Sequence, residues 1–243
     1  MTAKLFWIGP RISGFETTTT VVGFAVWELS RHPDKQARLR EELLVVKNKP
    51  GDKDLYERLP YLDAILKETS VVCFVQETVT FKANCSLRLY PALPYMERVA
   101  TKDDTLPLSQ VVPLSDGRMA HTLSIEAGQT VVIPIISIHR QDSVWHNPDD
   151  FYPERWLNPL PEGKLLSGWS NLLAFSDGPR SCIGARLALF NAKVIISSLV
   201  SNFVIEDAGG NVSLKIVSSL QPWTQTTGDD PGQNELPVIL KAL

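Results

Sequence analysis

Apolar residues recur with the helical period at Val22, Ala25, Val26 and Leu29, which predicts one long buried helix over residues 12–31. Its four consecutive threonines, Thr17 to Thr20, are poor helix formers, so packing has to hold the segment. Pro33 suits the first turn of a second helix. That helix is charged on one face, with Leu39, Leu43, Leu44 and Val46 available to the other, until Pro50, Gly51 and Asp52 end it. Leu59, Leu62, Ile65 and Leu66 predict a third helix over 59–69. The pattern then changes. Residues 91–108 read as short extended segments, Asp116-Gly117 as a turn between strands, and Val131, Ile133 and Ile135 as a strand entered from Gly128. Residues 171–193 begin as an apolar run, tighten at Gly178 and Pro179, and open a helix with apolar positions at Leu187, Leu189 and Phe190. That helix is expected to run on into a strand ending near Asp207, followed by a loop-rich β tail and a short terminal strand at 237–243.

Composition narrows this picture without changing it. The chain has 243 residues, 44% hydrophobic and 21% charged, enough for one substantial core. A net charge of −3 leaves no nucleic-acid footprint. Cys73, Cys85 and Cys182 are odd in number and widely spaced, so no disulfide framework is expected and a reducing compartment is the default. No apolar run reaches membrane-spanning length. The opening residues do not read as a signal peptide, since Pro10 and Arg11 interrupt a short apolar stretch.

The chemistry concentrates at Cys182. A cysteine at a loop-to-helix junction lies near the positive end of the helix dipole, and Arg180 adds a second positive influence, which suits a metal-binding thiolate. The plain alternative is a small buried hydrophobe. A cysteine-dependent hydrolase would need a histidine base, and His32, His121, His139 and His146 form no nucleophile motif with Cys182. The run from Phe175 through Gly178, Arg180 and Cys182 to Gly184 resembles the heme-binding loop of the cytochromes P-450, Phe-x-x-Gly-x-Arg-x-Cys-x-Gly, at each fixed position. The resemblance implies Cys182 as the iron ligand, Gly178 and Gly184 as points of close backbone approach, Phe175 as part of the heme-binding loop, and Arg180 as a propionate partner.

Further segments extend the resemblance. Ser13-Gly14-Phe15-Glu16-Thr17 is similar to the family's oxygen-binding groove. There Gly14 would admit dioxygen, and Glu16 with Thr17 would relay protons. Ser13 and Glu16 also fit a helix capping box. Residues 59–69 resemble the helix carrying Glu-x-x-Arg, yet the continuation Leu87-Arg88-Leu89 follows only after residues 70–86. Joining Thr69 to Leu87 puts Glu68 and Arg88 one turn apart. Residues 70–86 are therefore read as a retained intron, in frame, whose last residues can be encoded with a branch-point-like CTAAC and an acceptor AG; a genuine surface loop is the other reading. On the intron reading Cys73 and Cys85 have no chemical role. Phe151-Tyr152-Pro153-Glu154-Arg155-Trp156 matches a further family element, which implies a structural cluster of Glu68, Arg88 and Arg155. Arg98 matches a second propionate partner; a solvated strand arginine is its plainer reading. His139 is read as structural rather than as a ligand.

The resemblance thus implies a mainly α chain with a small β region (α+β), the C-terminal half of the cytochrome P-450 fold, forming one partial domain over 1–243. It implies an oxidoreductase: a monooxygenase holding heme b (iron protoporphyrin IX) through Cys182, acting on a small organic substrate, with an NADPH-dependent reductase as electron donor. Membrane contact would come only through a region upstream of Met1, and the full-length protein would face the cytoplasm at the endoplasmic reticulum membrane. The helices covering the distal side are expected upstream as well, so the chain by itself is expected to be inactive. The competing reading is a non-catalytic fragment of a misannotated or decayed gene with weak or no heme binding.

Overall fold

The computed structural model describes residues 15–47, 59–69, 88–159, 170–216, 219–225 and 236–243. The expectations for Ser13, Gly14, Cys73, Cys85, Leu87 and the 70–86 insertion concern residues outside them. The chain divides into a larger unit, up to Pro94 and again from Ile135 onward, and a smaller unit, Tyr95–Pro134. Among the described residues the elements are mainly helical, with small two-stranded antiparallel sheets, an α+β arrangement.

The larger unit opens with α1 (Phe15–Arg31), α2 (Pro33–Lys47) and α3 (Pro60–Thr69). Ala25 and Leu29 of α1, Leu39 of α2, and Leu62 and Ile65 of α3 are fully buried in one cluster. Each leucine or isoleucine among them contributes about 1.5–3 kcal/mol of hydrophobic stabilisation. One of the threonines of α1 finds a backbone partner within the helix: Thr20 Oγ1 donates to the Glu16 carbonyl at 2.9 Å. Glu42 of α2 accepts the Tyr61 and Leu62 amides at 2.8 and 3.0 Å, filling the orphan donors at the start of α3 with a carboxylate. Leu44, expected on the apolar face of α2, is instead about half exposed.

The smaller unit is built from β1 (Met96–Val99), β2 (Asp104–Pro113), β3 (Met119–Ile125) and β4 (Thr130–Ile133). β2 and β3 form a hairpin closed at Asp116-Gly117, with Gly117 at φ +81° and the Leu114 carbonyl accepting the Gly117 amide at 2.9 Å. β1 pairs with β4, Met96 opposite Ile133. The β4 strand ends sooner than its alternation suggests. Pro134 has no amide to donate, and Ile135 instead opens a single helical turn, α4 (Ile135–Ile138), in the larger unit.

The larger unit continues through α5 (Ala185–Asn202), β5 (Phe203–Asp207), β6 (Asn211–Ile216), β7 (Leu220–Gln225) and β8 (Val238–Ala242). Leu187 and Phe190 are exposed; α5 buries Ala192, Ile196 and Val200 against α1 and α2 instead. A buried glutamine locks this junction. Gln36 Nε2 donates to the Leu29 and Ile205 carbonyls at 3.0 and 2.8 Å, and its Oε1 accepts the Ile205 amide at 3.0 Å. Arg40 donates to the Val200 and Phe203 carbonyls at 3.0 and 2.8 Å, closing the C-terminal end of α5. The β5 strand pairs with β8, and β6 with β7. No helix among the described residues is long and apolar enough to cross a membrane.

Candidate functional site

The Glu68 carboxylate, fully buried on α3, gathers donors from three directions. Oε1 accepts Arg88 Nη2 and Arg155 Nε, each at 3.1 Å, and the Tyr152 amide at 3.0 Å. Oε2 accepts the Trp156 indole N–H at 2.7 Å. Glu68 and Arg88 stand twenty positions apart in sequence, yet both are fully buried as a pair. Their remaining donors are also satisfied: Arg88 reaches the Pro148 and Asp150 carbonyls, and Arg155 reaches those of His146 and Asn147. Burial pulls the Arg88 guanidinium below its usual range, and the adjacent Glu68 charge opposes that shift. An arginine stays a cation throughout.

This cluster sits beside the residues that lead into the cysteine loop. Trp145 lies under the Arg88 guanidinium at 5.6 Å and beside Trp156 at 5.2 Å, and it packs with Leu172 and Ala174. Ser170, Asn171 and Ser176 all adopt left-handed backbone conformations, which non-glycine residues rarely do. Between them the chain is pinned. The Leu173 amide donates to His139 Nε2 at 2.8 Å, and the Leu173 carbonyl accepts the Ser176 amide at 2.9 Å. The Phe175 carbonyl then accepts the Cys182 amide at 2.9 Å.

The loop between these points presents the thiol. Phe175 is buried, Gly178 turns at φ +73° with open space where a Cβ would sit, and Arg180 is exposed. Cys182 is partly exposed, and Gly184 precedes the first turn of α5. A Cβ at Gly184 would lie in ordinary contact, 3.9 Å, with the Cys182 sulfur. Ile183, Leu187 and Phe190 leave apolar surface exposed nearby in sequence. One soft sulfur donor, apolar surface and an exposed guanidinium fit an iron porphyrin, whose own nitrogens complete the metal's coordination. No group of three or more histidine, cysteine or acidic residues is placed to hold a bare metal ion among the described residues.

The other predicted residues are placed as follows. Glu16 and Thr17 lie in the first turn of α1, Thr17 buried, and α1 packs on α5, the helix that Cys182 precedes. Arg98 is exposed on β1 of the smaller unit, where it donates to the Glu97 carbonyl at 2.8 Å. Tyr152 and Trp156 are cluster members that motif reading missed; the indole N–H of Trp156 was the available signal.

A partly exposed thiol on a backbone-pinned loop, ahead of a helix and after a segment packed near a buried carboxylate–diarginine cluster, defines a class of cysteine-presenting α+β protein. A family model, Cytochrome P450, matches residues 11–70 and 83–221. Cytochrome P450 monooxygenase claP of Ampulloclitocybe clavipes is 34% identical over 226 residues, 90% of this chain and 39% of that protein. Cytochrome P450 monooxygenase 128 of Postia placenta is 34% identical over 236 residues, 95% of this chain and 39% of that protein. The chain belongs to the cytochrome P450 family. It spans about two fifths of the length of these curated relatives.

Proposed function

We propose that the chain supplies the heme-binding part of a cytochrome P450 monooxygenase, with Cys182 as the residue whose thiolate would ligate the heme iron. The reading rests chiefly on the way Cys182 is held, its amide tied to the Phe175 carbonyl at 2.9 Å and its side chain partly open beside Gly184. The names of the relatives, all monooxygenases, point the same way. When bound, the heme supplies dioxygen activation, which the thiolate promotes by donating electron density.

The protein's own part is distributed over named groups. Arg180 would pair with a propionate, Phe175 would back the loop, and Gly178 and Gly184 would keep side chains away from the macrocycle. Gly14 lies outside the described residues; by the family resemblance it would leave room for dioxygen, and Glu16 and Thr17, in the first turn of α1, would relay protons. One oxygen atom enters a small organic substrate; the other leaves as water after uptake of an electron pair and two protons. The electrons come from an NADPH-dependent reductase on the cytoplasmic face of the endoplasmic reticulum. Glu68, Arg88 and Arg155 act as structure, holding the segment that delivers the loop.

The test is to express the chain joined behind the N-terminal part of a full-length relative such as monooxygenase claP, supply heme and a reductase, and screen small organic substrates for oxygen incorporation from labelled dioxygen. Labelled product that disappears in Thr17→Ala supports the assignment. Heme uptake without product in any substrate would favour a non-catalytic fragment.

A further inference from the structure

The buried imidazole of His139 is used by neither the cluster chemistry nor the thiol, yet it touches the segments that carry both. His139 is fully buried at the end of α4, where its amide donates to the Ile135 carbonyl at 2.9 Å. A backbone N–H can only donate, so the 2.8 Å contact from the Leu173 amide makes Nε2 an unprotonated acceptor. The ring is therefore the Nδ1–H tautomer. The His139 carbonyl faces Arg88 Nη1 at 3.5 Å, on the edge of the Glu68 cluster. On the other side, Leu173 starts the turn whose Phe175 carbonyl holds the Cys182 amide.

We infer that His139 is a positioning residue, whose Nε2 accepts the Leu173 amide and so sets the Cys182 loop against the Glu68 cluster. The inference deepens the reading of Cys182 as the ligand and rests on it for its functional meaning, but the link itself lies wholly within the protein. The left-handed residues at 170 and 171 give it weight. They turn the backbone ahead of Leu173, whose amide finds its acceptor in a side chain at a part-buried position, and an amide left there without an acceptor is costly.

The experiment follows alkylation of Cys182 by iodoacetamide in the full chain without heme, read peptide by peptide by mass spectrometry. His139→Gln keeps an oxygen acceptor at the reach of Nε2; His139→Leu keeps bulk and removes the acceptor. Alkylation near the wild-type rate in H139Q, and about tenfold faster in H139L, is the expected result. Any other order of the two variants overturns the inference, since a merely space-filling histidine would be replaced best by leucine. If H139L fails to fold, nitrogen NMR of the wild-type chain decides: Nε2 should resonate as an unprotonated ring nitrogen coupled to the Leu173 amide, and a protonated Nε2 overturns the link. A chain that takes up no heme would sink the ligand reading and leave this test standing, because alkylation requires no heme.

Discussion

Replacing Glu68 by glutamine changes one oxygen to nitrogen in a fully buried carboxylate that accepts from two guanidiniums, a backbone amide and an indole. Glu68 is fully buried and receives Arg88 Nη2 at 3.1 Å, Arg155 Nε at 3.1 Å, the Tyr152 amide at 3.0 Å and Trp156 Nε1 at 2.7 Å. Glutamine keeps one acceptor. Its amide N–H groups must then face either Trp156 or the trio at Oε1, donor against donor. The substitution also removes the one carboxylate charge bonded to both guanidiniums, leaving Arg88 buried without its ion pair. Breaking a buried pair in this way costs about 3–5 kcal/mol. Against a whole-domain stability of about 5–15 kcal/mol, that is a large share. Urea unfolding followed by circular dichroism should show the loss as a lowered midpoint with an unchanged slope. The conservative control is Arg155→Lys, which keeps the charge but gives up the fork on the His146 and Asn147 carbonyls and should lose about 1–3 kcal/mol. A loss below about 1 kcal/mol in Glu68→Gln, the size of an exposed pair, would refute the cluster's structural role.

Three further outcomes follow from other parts of the molecule. Burial raises the Glu28 carboxyl above its ordinary 4.5, with the Tyr90 hydroxyl, His32 and Arg31 opposing, so the folded state holds a proton that the unfolded state releases. Its contribution to stability is therefore fully present below the unfolded value and is lost as pH rises through the folded one. Glu28→Gln should flatten that fall in urea midpoint, and parallel curves for both proteins would contradict it. Gln36→Leu strands the Ile205 amide and carbonyl beneath β5 and should destabilise the chain by about 2–3 kcal/mol in the same assay. The mature transcript should lack the codons for residues 70–86, around the stretch 71–82 that the family match leaves out; a message that carries them would end the retained-intron reading.

Local pattern went far for the helices and less far for the contacts that assemble them. The periodic leucines and valines placed α1 to α3 within a few residues, because a helix face is a short-range signal. They put Leu44 on an apolar face it leaves half exposed and did not say where Leu187 and Phe190 would lie, because periodicity names a stripe without saying what covers it. The end of β4 turned on Pro134, which alternation overlooks. Glu68, Arg88 and Arg155 could be picked out through the resemblance to family motifs, Glu68 and Arg88 only with residues 70–86 set aside. Tyr152 could not, because it bonds Glu68 through its backbone amide. Gln36 and Ile205 stand 169 positions apart, and no local pattern marks a glutamine that will meet a strand so distant. His139 carried no sign of its partner, since the acceptor role appears only once Leu173 is folded against it.

The most direct test of Cys182 as a heme-ligating thiolate is the ferrous–carbon monoxide spectrum of the heme-loaded chain, recorded beside Cys182→Ser. A thiolate-type Soret band in the wild type that is absent in the variant is the expected result. A wild-type chain that binds heme without that band, or a variant that keeps it, would contradict the assignment of Cys182.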